Sequence, residues 1–295
     1  MNSETDLSLV ATATFSTFLN EQGASIAAYF PGQTNTASTA LPASYISPMS
    51  TSTTGCLASL TPIASVSGKK AGVAYNVGSL VIPFVGKSKI GWAYNWGSSP
   101  ENIPSGIEYI PLLWGNGPIY TDSWTQDANK AISCGTSAVL GFNEPDHPQQ
   151  ANIDFNTAAM DYKQYITSNF AGKIKLVSPS VTNGAAPMGL AYLQNFMDSC
   201  SDCQIGAIAI HWYDTSTNIQ YFQSYIRQAY DQFKLPIWLT EFGTTDGNDT
   251  SFLEVVLPWL DSQSYVERYA YFMAEDGMLL SGNSLNAAGQ IYAGL

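Results

Sequence analysis

Two glutamates are the residues of this 295-residue chain best suited to paired acid–base work. Glu144 ends the apolar run Val139-Leu-Gly-Phe-Asn-Glu144, and Glu241 ends Ile237-Trp-Leu-Thr-Glu241. They stand 97 positions apart (241 − 144). Cleavage of a glycosidic bond needs two carboxyl groups across a cleft. One protonates the leaving oxygen, and the other attacks the anomeric carbon or activates water. A separation of about 5 Å is expected here, the geometry that forms a covalent sugar–enzyme intermediate. The acid needs a raised pKa; Glu144 is assigned that part, because its surroundings should be drier and close to the partner carboxylate. Glu241 is then the nucleophile. One glutamate at a strand end could equally cap the next helix, but the pair, with Asn143 directly before one of them, argues for chemistry.

Other side chains fall around these two. Asn143 is placed to hydrogen-bond the sugar 2-hydroxyl beside the scissile bond. His211 and Tyr213 alternate on one strand and so share a face; one of them is expected to hydrogen-bond Glu241. Trp96 and Trp114 could stack on sugar rings through flat apolar faces. Tyr75, Tyr94, Asn95 and Tyr271 also end apolar runs and are expected to bind substrate. Trp212 alternates away from His211 and reads as packing. His147 reads as an exposed loop residue, and Asp146 and Asp276 as loop hydrogen-bonders. Rival centres fail: no Gly-x-Ser-x-Gly follows a strand, and Cys134 has no apparent histidine partner.

The elements that must hold these residues begin at Lys69. Eight short apolar runs recur: Gly72–Asn76, Ile90–Asn95, Tyr109–Trp114, Val139–Glu144, Ile174–Pro179, Ile208–Tyr213, Ile237–Glu241 and Arg268–Phe272. Each is apolar on both faces, as buried parallel strands are. Helical patterns lie between them at Asp122–Cys134, Thr157–Phe170, Tyr192–Ser199, Ile219–Phe233 and Thr250–Ser262. In the second, Ala159, Tyr162, Tyr165 and Ile166 fall at helical spacing. Alternation of this kind predicts a (β/α)8 barrel over 68–295, whose active site lies at the carboxyl ends of the strands. A doubly wound open sheet is disfavoured, because no Gly-x-Gly-x-x-Gly follows a strand. Residues 1–67 read as an N-terminal extension. Thr34–Gly68, dense in Ser, Thr, Ala and Pro, is expected to be irregular. Residues 7–30 could form a short helix.

Composition narrows the partners. A net charge of −12 with eleven Lys plus Arg excludes a nucleic-acid footprint and disfavours an anionic membrane surface. No apolar run reaches the roughly 20 residues of a membrane span. Only 12% of residues are charged and 13% are aromatic, which suits a neutral, ring-shaped ligand. The amino end shows no charged-then-apolar signal segment, so either a signal has been cleaved or the sequence starts after one. Four cysteines, Cys56, Cys134, Cys200 and Cys203, fit two disulfides in an oxidising compartment, and their spacing does not choose the pairing. Cys200-x-x-Cys203 has no second pair, and the only histidines are His147 and His211, so no metal or other cofactor is expected. The sequon Asn248-Asp249-Thr250 would permit glycosylation of an exported chain.

Six strings carry a resemblance: Lys89-Ile-Gly-Trp-Ala-Tyr-Asn-Trp-Gly97, Gly141-Phe-Asn-Glu-Pro-Asp146, Ser178-Pro-Ser-Val-Thr-Asn-Gly184, Ile210-His-Trp-Tyr213, Pro236-Ile-Trp-Leu-Thr-Glu-Phe-Gly243 and Glu267-Arg-Tyr-Ala-Tyr-Phe272. In order and spacing, from Lys69 to Leu295, they resemble glycoside hydrolase family 128, the alkali-sensitive-linkage-like glycosyl hydrolases of fungi and some bacteria. The resemblance implies a clan A retaining endo-β-1,3-glucanase on a (β/α)8 barrel, with the acid/base at Glu144 and the nucleophile at Glu241. A monomeric, secreted enzyme, free or attached to the cell wall, is expected to act on β-1,3-glucan. Residues 1–67 match nothing in the family core. Two other functions stay open: a wall protein that binds β-glucan without cutting it, and a clan A enzyme for another β-linkage.

Overall fold

A computed structural model describes residues 68–295 and, in backbone pairing alone, residues 14–19 and 25–30. The chain divides into two compact units, Met1–Thr53 and Thr54–Leu295. In the first unit, Thr14–Leu19 and Ser25–Phe30 pair as antiparallel strands, with Thr14 opposite Phe30. The helix expected within residues 7–30 is therefore corrected. Both segments are rich in β-branched and aromatic residues, which favour a pleated surface over a helix. The irregular segment expected at Thr34–Gly68 lies almost wholly outside the described residues.

The main sheet of the second unit has eight strands: β1 (Ala71–Ala74), β2 (Ile90–Tyr94), β3 (Glu108–Tyr109), β4 (Ala138–Val139), β5 (Lys175–Val177), β6 (Ile205–Asp214), β7 (Ile237–Thr244) and β8 (Val266–Tyr271). Their order in the sheet is β3-β2-β1-β8-β7-β6-β5-β4, all neighbours parallel. The two ends of that order meet. Leu113 N donates to Leu140 O at 3.2 Å and Leu140 N to Pro111 O at 3.0 Å, around a parallel bridge from Leu112 to Leu140. The sheet is thus closed into the (β/α)8 barrel. β3 and β4 are shorter than their apolar runs; Pro111 has no N–H to extend the ladder.

Among the described residues, six helices of more than one turn pack outside: α1 (Trp124–Ser133), α2 (Phe155–Tyr162), α3 (Gly189–Ser199), α4 (Ile219–Phe233), α5 (Asp249–Ser262) and α6 (Ala287–Ala293). α2 starts two residues before its expected position because Asp154 caps it, its carboxylate accepting from Asn156 N and Thr157 N. α2 then runs through one wider turn at Lys163–Thr167 to Phe170. A 3-10 stretch at Gly78–Phe84 and helix α6 were not expected from the periodicity; both are short. Cys200 and Cys203 form a disulfide after α3, and Cys134 is disulfide-bonded too. None of the three is a free thiolate for a metal.

The barrel interior is filled from its floor upward. Trp92, Tyr94 and Trp96 alternate along and just past β2, so they rise in one column. Trp92 stacks near Tyr94 at 5.7 Å, and Tyr94 lies 5.0 Å from Trp96. At the floor, the Arg268 guanidinium lies 4.6 Å from the Trp238 ring and pairs with Glu108 at 2.8 Å. Gly72 faces Trp92 so closely that a Cβ there would stand 2.2 Å from the indole.

Candidate active site

Glu144 and Glu241 come together at the carboxyl end of the barrel, both buried. Glu144 sits in a turn after β4 with φ of 43°, a left-handed conformation that costs energy for a residue with a Cβ. Neighbouring bonds hold the turn. Glu144 N donates to Ser180 O at 2.8 Å, and Asn143 N donates to Trp114 O at 2.9 Å. Asp146 accepts from Thr182 Oγ1 at 2.6 Å, from Thr182 N, and from Gly189 N at 2.8 Å, tying the β4 turn to the start of α3.

Glu241 reaches the mouth through an irregularity in β7. Pairing with β6 and β8 shifts register around Thr240 and Glu241. A regular strand would send these two side chains to opposite faces; a shift of this kind re-aims one of them. Glu241 therefore meets Trp96 and Tyr213, while Thr240 also stays within reach of the interior. Trp96 Nε1 donates to Glu241 Oε1 at 2.6 Å, and Tyr213 OH donates to Glu241 Oε2 at 2.7 Å. Burial, with Glu241 beside it, holds the Tyr213 hydroxyl well above its ordinary pKa, so it stays a donor.

His211 links the two carboxylates. Its Nδ1 lies 2.8 Å from Glu144 Oε1 and 3.6 Å from Glu241 Oε2, and its Nε2 lies 3.0 Å from Thr240 Oγ1. Burial pushes the Glu144 carboxyl up to about 7, and the charge of Glu241 adds to that, against the pull of His211. Burial works against a charge on His211, but Glu241 and the bond to Glu144 outweigh it and raise its pKa. When Glu144 is ionised, it accepts from Nδ1–H. When Glu144 holds the proton, Nδ1 can accept it, and Nε2–H turns to Thr240. The centre is built to keep a proton near Glu144.

One atom from each of Glu144, His211 and Glu241 lies within 4.8 Å of the others, a span that could suit a cation. Three of the four carboxylate oxygens, however, already face an N–H, an O–H or the His211 ring nitrogen. Such a donor set suits proton transfer and not metal ligation.

The expected substrate contacts divide. Asn143, His211 and Tyr213 do lie at the two glutamates. Asn143 Nδ2 reaches Gln150 Oε1 at 3.3 Å, while its Oδ1 is buried with no partner among the described residues. Trp96 is corrected: it is 1% exposed, its N–H is spent on Glu241, and its ring is enclosed by Tyr94 and by Phe272 at 5.6 Å. It offers no face to a sugar. Trp114 packs its ring 4.9 Å from Tyr120, and its buried N–H has no partner among the described residues. Tyr94 is buried and donates to Thr240 O at 2.7 Å. Tyr75 is buried and donates to Pro100 O at 2.6 Å. Asn95 binds Ser99 O through Nδ2 and accepts from Tyr109 OH and Gly97 N through Oδ1, so it is spent on its own loop. Tyr271 points outward, where Asp249 accepts its hydroxyl at 2.5 Å; its neighbour Phe272 is the one that faces the mouth, 5.9 Å from Tyr213. These corrections have one cause. Strand-end position gives proximity to the mouth, but whether a side chain opens into it is set by its depth in the barrel and by pleat and turn.

Trp212 packs outward against Phe252 at 5.4 Å and Phe222 at 5.0 Å, as alternation predicts. Asp276 accepts from Gly282 N and Asp146 serves its loop, again as expected. His147 is half-buried and not fully exposed, its Nδ1 accepting from Gln149 N. Thr240 and Phe272 were missed as site residues. The only signal for Thr240 is the Thr-Glu pair itself, and the β7 irregularity that uses it is invisible in sequence.

This geometry has relatives. A family model for the glycosyl hydrolase catalytic core matches residues 72–292. A family 128 curdlan-specific exo-β-1,3-glucanase from Blastomyces gilchristii, solved with glucose, is 38% identical with a TM-score of 0.72, covering 77% of this chain and 99% of that one. The chain belongs to glycoside hydrolase family 128. A family 128 endo-β-1,3-glucanase from Amycolatopsis mediterranei, solved with laminaritriose, is 28% identical with a TM-score of 0.64, covering 77% of this glycosyl hydrolase and 99% of its own chain. Alkali-sensitive linkage protein 1 of Schizosaccharomyces pombe is 34% identical over 253 residues. That match takes in 77% of this chain, which spans only 45% of the length of that relative.

Proposed function

We propose that this glycosyl hydrolase is a retaining endo-β-1,3-glucanase, with Glu144 as acid/base and Glu241 as nucleophile. One observation carries the reading: two carboxylates with oxygens within 4.8 Å of one another, Glu144 raised by burial and Glu241 held by two donors. Glu144 is held near pH 7 and so carries a transferable proton. Glu241 accepts from two fixed neutral donors, Trp96 Nε1 and Tyr213 OH, which hold its two oxygens in place. The spacing matches the short carboxyl separation of retaining pairs, about 5 Å, and not the longer one of inverting pairs, which favours direct attack by Glu241. In the first step Glu144 protonates the leaving oxygen as Glu241 attacks the anomeric carbon; in the second, Glu144 deprotonates the water that releases the sugar. Asn143 Oδ1, buried and unpartnered, is available to a substrate hydroxyl.

The substrate class rests on relatives solved with glucose and laminari-oligosaccharides. The Blastomyces enzyme is described as exo-acting, so exo cleavage is the second reading. An oxidising, extracellular location is in keeping with the Cys200–Cys203 disulfide. The test is a time course on soluble β-1,3-glucan with wild type and Glu241→Gln. Mixed short oligosaccharides from wild type and none from the variant support the proposal. Glucose alone from the first time point moves the assignment to exo action. Inertness of the wild type towards this polymer removes the linkage assignment.

A further inference from the structure

The two donors to Glu241 are not equivalent. Oε2 is the oxygen nearest His211, and through that ring it is turned towards Glu144. Oε1 is turned to the β2 side, where among the described residues the Trp96 N–H is its donor. An indole N–H donates, never accepts, and does not exchange its proton in catalysis. Trp96 is also enclosed: it is 1% exposed, its ring packs against Tyr94 and Phe272, and Tyr94 is itself bonded to Thr240 O.

We propose that Trp96 is a positioning residue that reserves Oε1 as the non-bonding oxygen of Glu241 and acts chiefly in the second step, release of the sugar. The inference rests on the double-displacement reading above. In the first step a bond forms between Oε2 and the anomeric carbon as the bond to the leaving oxygen breaks, and that oxygen takes the proton of Glu144. Oε1 becomes the carbonyl oxygen of the glycosyl ester, still accepting from Trp96. In the second step water attacks the anomeric carbon and gives its proton to Glu144, while Oε2 leaves with the electron pair. The carboxylate loses charge in the first step and regains it in the second. A fixed neutral donor is worth most where charge develops, so the N–H of Trp96 assists the departure of the carboxylate more than its attack.

The experiment replaces the Trp96 side chain by 3-benzothienylalanine, which keeps the bicyclic shape and puts sulfur in place of N–H; Trp96→Phe is the ordinary companion. An activated dinitrophenyl β-laminaribioside is the substrate, followed by burst kinetics and intact-protein mass. The expected result is a fall in kcat of about tenfold to a hundredfold, a smaller change in burst rate, a lower KM, and a covalent adduct on Glu241 that accumulates in the variant. A raised KM with no adduct overturns the inference and returns Trp96 to a packing or sugar-binding role. Wild type is also treated with 2-deoxy-2-fluoro-β-laminaribiosyl fluoride. Failure to label Glu241 there overturns the covalent step itself, a different result from a normal wild type with an unaltered variant.

Discussion

Glu144 and Glu241 are the same side chain in two environments, and pH is the means to separate them. Glu144 is held up to about 7 from an ordinary 4.5, first by burial. Between those values the folded protein keeps a proton that the unfolded chain has released. Its contribution to stability is therefore whole below about 4.5 and lost as pH rises through about 7. His211, also raised, has the same sign. Thermal midpoints from pH 5 to 8 are expected to fall less steeply in Glu144→Gln than in wild type; parallel curves contradict the assignment. Under the proposed mechanism the same proton is the one delivered to the leaving group, so kcat/KM on glucan is expected to decline as pH rises through about 7. Glu144→Gln is expected to lose about 10²- to 10⁴-fold on glucan. With a dinitrophenyl leaving group, which needs no proton, its first step should survive.

At the scale of elements, the strained β4 turn depends on Asp146. Asp146→Ala leaves Thr182 N and Gly189 N without their carboxylate acceptor. The expected cost is about 2 kcal/mol, which lowers the thermal midpoint by about 4–8 °C for a domain of this size. Displacement of Glu144 adds a loss in kcat of about tenfold or more, since a small misplacement of a catalytic group is costly. Calorimetry and initial rates check both; a stable variant with full kcat removes the latch role. The β7 irregularity is the counterpart on the other side, because it lets Thr240 reach His211 while Glu241 reaches Trp96 and Tyr213.

At the scale of the whole molecule, the aromatic column of β2 joins the barrel floor to the mouth. Gly72 makes room for its lowest ring, which is fixed by Trp92 Nε1 donating to Lys70 O at 2.9 Å and by Trp238 at 5.6 Å. Gly72→Ala forces that ring to move and is expected to cost about 1–3 kcal/mol. Activity should fall with it, through Tyr94 and Trp96, and a thermal melt beside a rate assay tests the link. The unit Thr54–Leu295 carries the barrel and all of the family match. A chain beginning at Thr54 is expected to keep the rate on short oligosaccharides, and loss of folding in that chain contradicts the independence of the unit.

The sequence by itself determined the eight-strand barrel and its carboxyl-end mouth, because buried parallel strands and amphipathic helices leave distinct periodicities. It also singled out Glu144, Glu241, Asn143, His211 and Tyr213, since chemistry restricts residue type and strand ends restrict position. It did not determine which neighbours face the mouth. Trp96, Tyr94, Tyr75, Asn95 and Tyr271 sit at strand ends yet are buried and committed to the protein, while Thr240 and Phe272 face inward. The left-handed turn at Glu144 and the register shift in β7 redirect side chains by a whole face. Those features arise from closing the barrel, where each strand must fit two neighbours far away in sequence, and no local pattern encodes them.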